Sequence, residues 1–176
     1  MSSQVRELVD RYMEHFPRKH CGQLFTDTSQ FMDINYGDVI KLNTLHYMVL
    51  RDECERRFGM EDPKFWVKRC RCLETGKRHI LKLVFHEHFP LTLGDVKIHC
   101  HRSPRKEARI LNLVRHDTRF MQGEVVADDK RNPVRILDII RGKTIDDHVF
   151  DIQAGHEEYY HEHLPNILRR FIGSCE

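Results

Sequence analysis

Apolar positions recur along the chain at two spacings, and the change from one to the other marks out its elements. From Ser3 to Phe16 the apolar residues are Val5, Leu8, Val9, Tyr12, Met13 and Phe16. Steps of three and four predict an amphipathic helix, with Ser3 as its cap and Pro17 after its end. The periodicity fades between Arg18 and Asn43 among Gly22, Asp27, Ser29, Asn35, Gly37 and Asp38. That stretch is read as turns, although Phe25, Phe31, Met32 and Ile34 give it something to bury. Leu45 to Leu50 (LHYMVL) then reads as a strand. Phe65 to Phe85 follows as FWVKRCRCL, ETGK and RHILKLVF, two strand-like runs about a Thr-Gly turn, which predicts a β-hairpin. Three successive strands with short joins favour an antiparallel meander.

The second half changes period again. A polar connection from His86 to Arg102 leads to Ser103-Pro104, a cap and a first-turn proline. The helix they open runs to about Arg115 and carries Ile110, Leu111 and Val114 on one face. Arg119 to Ala127 (RFMQGEVVA) and Val134 to Ile140 (VRILDII) predict two more strands. A short helix around Glu157 to His163 precedes a last one with Leu164, Ile167, Leu168, Phe171 and Ile172 on one stripe. The expected class is α+β: a five-stranded antiparallel sheet with one packed helix, an N-terminal amphipathic helix and C-terminal helices. The expected organisation is residues 1–36 as N-terminal helix and extension, 37–145 as the sheet-bearing lobe, and 146–176 as following helices.

Composition narrows the classes. With 176 residues, 40% hydrophobic and 32% charged, the chain suits one folded core and excludes a disordered tract. A net charge of +2 with acids and bases interspersed argues against nucleic-acid binding through a broad basic face. No apolar run reaches membrane-spanning length and no secretory signal precedes the six cysteines, so a cytoplasmic protein with reduced thiols is expected. Thirteen histidines cluster at His86 and His88, at His99 and His101 about Cys100, and at His156, His161 and His163. They lack the paired spacing of a zinc site, which leaves metal binding as the weakest reading.

One strand carries a chemical oddity. Ile80, Lys82 and Val84 share a face by alternation, so Lys82 stands in an apolar row. Glu107, three and four residues before Ile110 and Leu111, heads the buried stripe of the helix, where a lone carboxylate is costly. The two either form an inward ion pair, or Lys82 pairs locally with Glu87 and Glu107 faces solvent.

The order of pieces resembles the small lobe of the protein kinase-like superfamily. The strand, loop and strand are followed by the E-T-G-K turn and I-L-K where kinases have A-x-K. Then come E-x-x-I-L-x-x-V-x-H from Glu107 to His116, two strands and L-D-I-I-R-G-K-T-I from Leu137 to Ile145. The likeness covers roughly Gly37 to Glu176 and implies that Lys82 binds nucleotide phosphates with Glu107 as its helix partner. Leu137 would be the gatekeeper, and the backbone of Asp138 to Ile140 the hinge that meets adenine. It implies ATP with magnesium for the complete protein. Where kinases have a glycine-rich loop, Asp52 to Gly59 (DECERRFG) offers one glycine and three acids, whose charge opposes phosphate. No catalytic loop and no D-F-G aspartate occur, so no catalytic residue is expected in these 176 residues. The last helix reaches Glu176 without a cap, which suggests a piece of a longer protein whose large lobe is missing. Its apolar stripe invites homodimerisation through the terminal helices. The alternative is a non-catalytic, pseudokinase-like binding or regulatory module.

Overall fold

The computed structural model describes residues 1–13, 22–57, 60–83, 88–101, 103–141 and 156–175. They fall into two compact units, Met1–Ile139 and Ile140–Glu176. The first is an α+β unit about a seven-stranded mixed sheet. Helix α1 (Ser3–Met13) comes first, then β1 (Leu24–Phe25), β2 (Val39–Leu42), β3 (Leu45–Arg57), β4 (Met60–Cys72) and β5 (Arg78–Lys82). A hairpin of β6 (His88–Leu93) and β7 (Val96–His101) precedes α2 (Pro104–Leu113), β8 (Gly123–Ala127) and β9 (Pro133–Asp138). The sheet order is β1-β2-β3-β4-β5-β9-β8, and β6-β7 form a separate two-stranded sheet.

The five-stranded antiparallel sheet of the sequence reading is therefore too small. Strands β3, β4, β5, β9 and β8 do pair antiparallel, but β2 extends the sheet beside β3 and β1 joins β2 in parallel. These two additions come from the stretch read as turns. With two and four residues, they are too short to declare a period. The segment 22–36 also fills one face of the sheet. Phe25 and Ile34 are buried with Ile40, Val49, Cys70, Leu81, Val134 and Ile136 in the larger core.

Alternation assigns the other face. Val39 and Met48 lie there under α1, whose Val5 and Val9 close a second core with Leu73. Helix α1 is capped one residue earlier than expected, because the Val5 amide donates to the Ser2 hydroxyl at 3.4 Å. Its predicted end at Phe16 lies outside the described residues. The Thr75-Gly76 turn forms as expected, with Gly76 at φ +71° and its amide donating to the Cys72 carbonyl at 2.8 Å. Glu74 ties this turn to β3 by accepting from the His46 amide at 3.0 Å and meeting its Nδ1 at 2.6 Å. Burial pushes the Glu74 carboxyl up, but those bonds win and hold it below the usual range.

At Gly22 a Cβ would overlap the Gly37 carbonyl oxygen, which is backbone and has nowhere to move. Gly22→Ala is expected to push β1 off β2 and cost about 1–3 kcal/mol, read as a lower melting temperature.

The polar connection is the clearest surprise. In β6 and β7, Phe89, Leu91 and Leu93 pair with Cys100, Ile98 and Val96, and His88, Pro90 and Thr92 pair with His101, His99 and Lys97. Gly94, at φ +60°, opens the two-residue turn between them. In the second unit, one α-turn at His156–Glu158 and a π-helical segment, Tyr159–His163, lead into α3 (Leu164–Cys175). Leu168, Phe171 and Ile172 on α3 are exposed.

No helix among the described residues is long and apolar enough to cross a membrane.

Candidate functional site

The site is best built outward from β5. Lys82 stands directly opposite Val67 of β4 and Arg135 of β9, and Arg135 stands opposite Val125 of β8. Directly opposed residues share a face, so Val67, Lys82, Arg135 and Val125 form one row across four strands. The next row is Arg69, Ile80, Leu137 and Gly123. Two cations are thus neighbours on the face that Val134 and Ile136 turn away from.

Helix α2 supplies the counter-charge. Its Ser103 hydroxyl accepts from the Lys106 amide at 3.3 Å, Pro104 sets the first turn, and Leu111 is buried. That orientation brings the Glu107 carboxylate to Arg135, whose Nη1 donates to Oε2 at 2.8 Å. The Arg135 side chain is 6% exposed and that of Glu107 32%. The contact is charge-assisted and largely sheltered from water. The sequence points to the carboxylate and the lysine as each other's partner, but the carboxylate's bonded partner is Arg135, the lysine's cross-strand neighbour. The signal was present in V-R-I, a cation alternating with buried residues just as Lys82 does.

The remaining expected positions follow the strand to its end. Leu137 is 2% exposed. A Cβ at Gly123 would crowd its Cδ2 and the Ile136 carbonyl, so the glycine lets β8 approach. The Asp138 amide donates to the Gln122 carbonyl at 2.9 Å, and its exposed carboxylate lies 3.4 Å from His79 Nδ1. Ile140 is exposed and begins the second unit.

Two of the three acids that would oppose phosphate in the segment from Asp52 are already engaged. Asp52 accepts from Lys68 Nζ at 2.5 Å, and Glu53 takes the Arg69 guanidinium through Nε at 3.0 Å and Nη2 at 3.2 Å. Strands β3 and β4 continue around them to Arg57 and Met60, with register shifts at Val49/Arg51 and Asp52/Glu53. Phe58 and Gly59 lie outside the described residues. Cys70 offers no nucleophile, because complete burial pushes its thiol far up, with Lys68 opposing and Asp52 adding to the rise.

Among the described residues no group of three His, Cys, Asp or Glu side chains could hold a metal. His86 lies outside them, as do the side chains of His88, Cys100, His101 and His156.

No family model matches the chain, and no curated protein and no solved structure matches it either. The reading of the site therefore rests on its residues.

Proposed function

We propose that the chain is the nucleotide-binding small lobe of a protein kinase-like phosphotransferase, inactive by itself because these residues hold no catalytic loop and no metal-binding aspartate. The observation that supports this most is that Lys82 stands opposite Arg135 across β5 and β9, while Arg135 bonds Glu107 of α2. The order of elements agrees with the resemblance: a three-strand meander, an inserted helix and two returning strands. In this reading Lys82 meets the nucleotide phosphates while Arg135 keeps Glu107 and α2 in place. Leu137 closes the back of the adenine site. The Asp138 amide already serves Gln122, so the hinge reads adenine through the backbone beyond it, up to Ile140. Magnesium finds no cluster of carboxylates among the described residues and comes with the nucleotide.

The test is a titration of ATP, with and without magnesium, into the 176-residue chain, followed by backbone amide shifts. Saturable binding in the millimolar range is expected, with shifts centred on β5 and the end of β9. Lys82→Met is expected to weaken it about tenfold, roughly 1.4 kcal/mol, while Lys97→Met on the separate hairpin leaves it unchanged. Absence of saturable binding, or equal binding by Lys82→Met, would overturn the reading. The second reading is a non-catalytic binding or regulatory module. It is favoured by the Glu107 carboxylate being already committed to Arg135, and it predicts a stable fold without nucleotide binding.

A further inference from the structure

The predicted apolar face of α2 is split by the structure. Leu111 is buried toward the sheet, and Val114 just beyond the helix is half-buried, but Ile110 is 49% and Leu113 84% exposed. Leu113 is among the most costly kinds of residue to leave in water. Together with Ser103, Arg105, Lys106 and Arg109, these two line an open groove along the helix. Residues 106, 109, 110 and 113 are spaced at three, four and seven, so they form one stripe on the outward face.

The stripe is charged in one sense only. Arg105, Lys106 and Arg109 are exposed, and none of the three makes an ion pair among the described residues. The helix's one acid, Glu107, turns the other way to Arg135. Three cations beside two exposed aliphatic side chains are complementary to a segment that carries carboxylates beside apolar anchors.

We propose that the outer face of α2 is a docking groove for an acidic amphipathic helix of a partner protein, whose apolar residues cover Ile110 and Leu113 while its carboxylates meet Arg105, Lys106 and Arg109. This goes beyond nucleotide binding and does not depend on it. A helix is the fitting shape because the groove follows a straight ten-residue element, about 15 Å long, and helix-in-groove recognition reads anchors at the same three, four and seven spacing. The surface is small, so affinity in the micromolar range with rapid exchange is expected. An anionic membrane is the less favoured occupant. Two aliphatic side chains and three cations along ten residues fall short of the broad apolar face and second anchor that stable membrane attachment needs.

The experiment uses the whole chain and two fluorescent helical peptides of about four turns. They share leucines at the same spacing, one flanked by glutamates and the other by lysines. Anisotropy is expected to show saturable binding of the acidic peptide only, weakening as salt is raised. Arg105→Glu with Arg109→Glu is expected to reduce it at least tenfold with little salt-weakening left, and Leu113→Asp to reduce it as much while the binding that remains still weakens as salt is raised. Both variants alter exposed positions, and an unchanged melting temperature shows that they fold. Equal binding of the two peptides, retention in either variant, or no saturable binding would overturn the proposal. So would co-sedimentation with vesicles of phosphatidylserine without binding of the acidic peptide.

Discussion

Asp52→Ala is expected to destabilise the first unit by about 3–5 kcal/mol, a large share of the stability of a domain this size. The cause is Lys68. Its side chain is 1% exposed on the core face of β4, and its ammonium donates to the Ile34 carbonyl at 2.7 Å and to Asp52. Without Asp52 a buried cation keeps one neutral acceptor and loses its charge partner. Lys68→Met is expected to cost less, about 1–2 kcal/mol, because it removes the buried charge; the Ile34 carbonyl is left short of a donor, while the Asp52 carboxylate, 28% exposed, can turn to water. Paired chemical denaturation curves give both numbers. A smaller loss in Asp52→Ala than in Lys68→Met would show that the ammonium reaches water and that the pair is not structural. The double variant separates the cases further, since removing both charges together should recover most of the loss from Asp52→Ala.

The same residues show what a sequence yields and where it stops. Alternation in FWVKRCRCL and RHILKLVF places strands, and the Ser103-Pro104 start places a helix. Neither says which strand neighbours which. Lys82 could be recognised as a cation in an apolar row, but its cross-strand neighbour depends on β9 folding back beside β5, across an intervening hairpin and helix. Arg135 became its neighbour only through that register. Lys68 sits between Val67 and Arg69 in a run of alternating charge that looks solvated. Its burial follows from the segment 22–36 closing over the sheet, a tertiary event without local signature.

The β6-β7 hairpin illustrates a different loss. Its alternation was legible, but Pro90 and the histidines argued for a loop. Counted from the two-residue turn, Leu93 and Val96 form a hydrogen-bonded pair, which makes Pro90 and His99 a non-hydrogen-bonded one. Proline needs no donor there, so the usual objection to it in a strand lapses. Ile110 shows the reverse error. A spacing that permits two apolar stripes on α2 was read as one, and only contact with the sheet decides that Leu111 belongs inside.

Asp128→Ala is the second substitution expected to be severe, at about 3 kcal/mol or more, and its pH dependence identifies the reason. Asp128, 6% exposed in the turn between β8 and β9, accepts from the Thr28 amide at 2.7 Å and the Thr28 hydroxyl at 2.8 Å. It also accepts from the Lys130 and Asn132 amides at 2.9 and 2.8 Å and from Asn132 Nδ2 at 2.8 Å. One carboxylate thus joins the segment that fills the core face to the turn at the far edge of the sheet. Thr28 is fully buried, so its donors cannot turn to water when the acceptor is removed, and each then carries a desolvation cost. Burial alone would raise the Asp128 carboxyl; the bonds from Thr28 and Asn132 overcome this and hold it below its ordinary value. A depressed carboxyl contributes stability that is complete above the unfolded value, near 4, and is lost as pH falls through the lower folded value. Wild type is therefore expected to lose stability below about pH 4 more steeply than Asp128→Asn, which keeps the shape but starts weaker at neutral pH. Melting temperatures of the two from pH 7 to 3 should converge. Parallel lines over that range would mean that another carboxyl carries the acid transition and that Asp128 acts by shape alone.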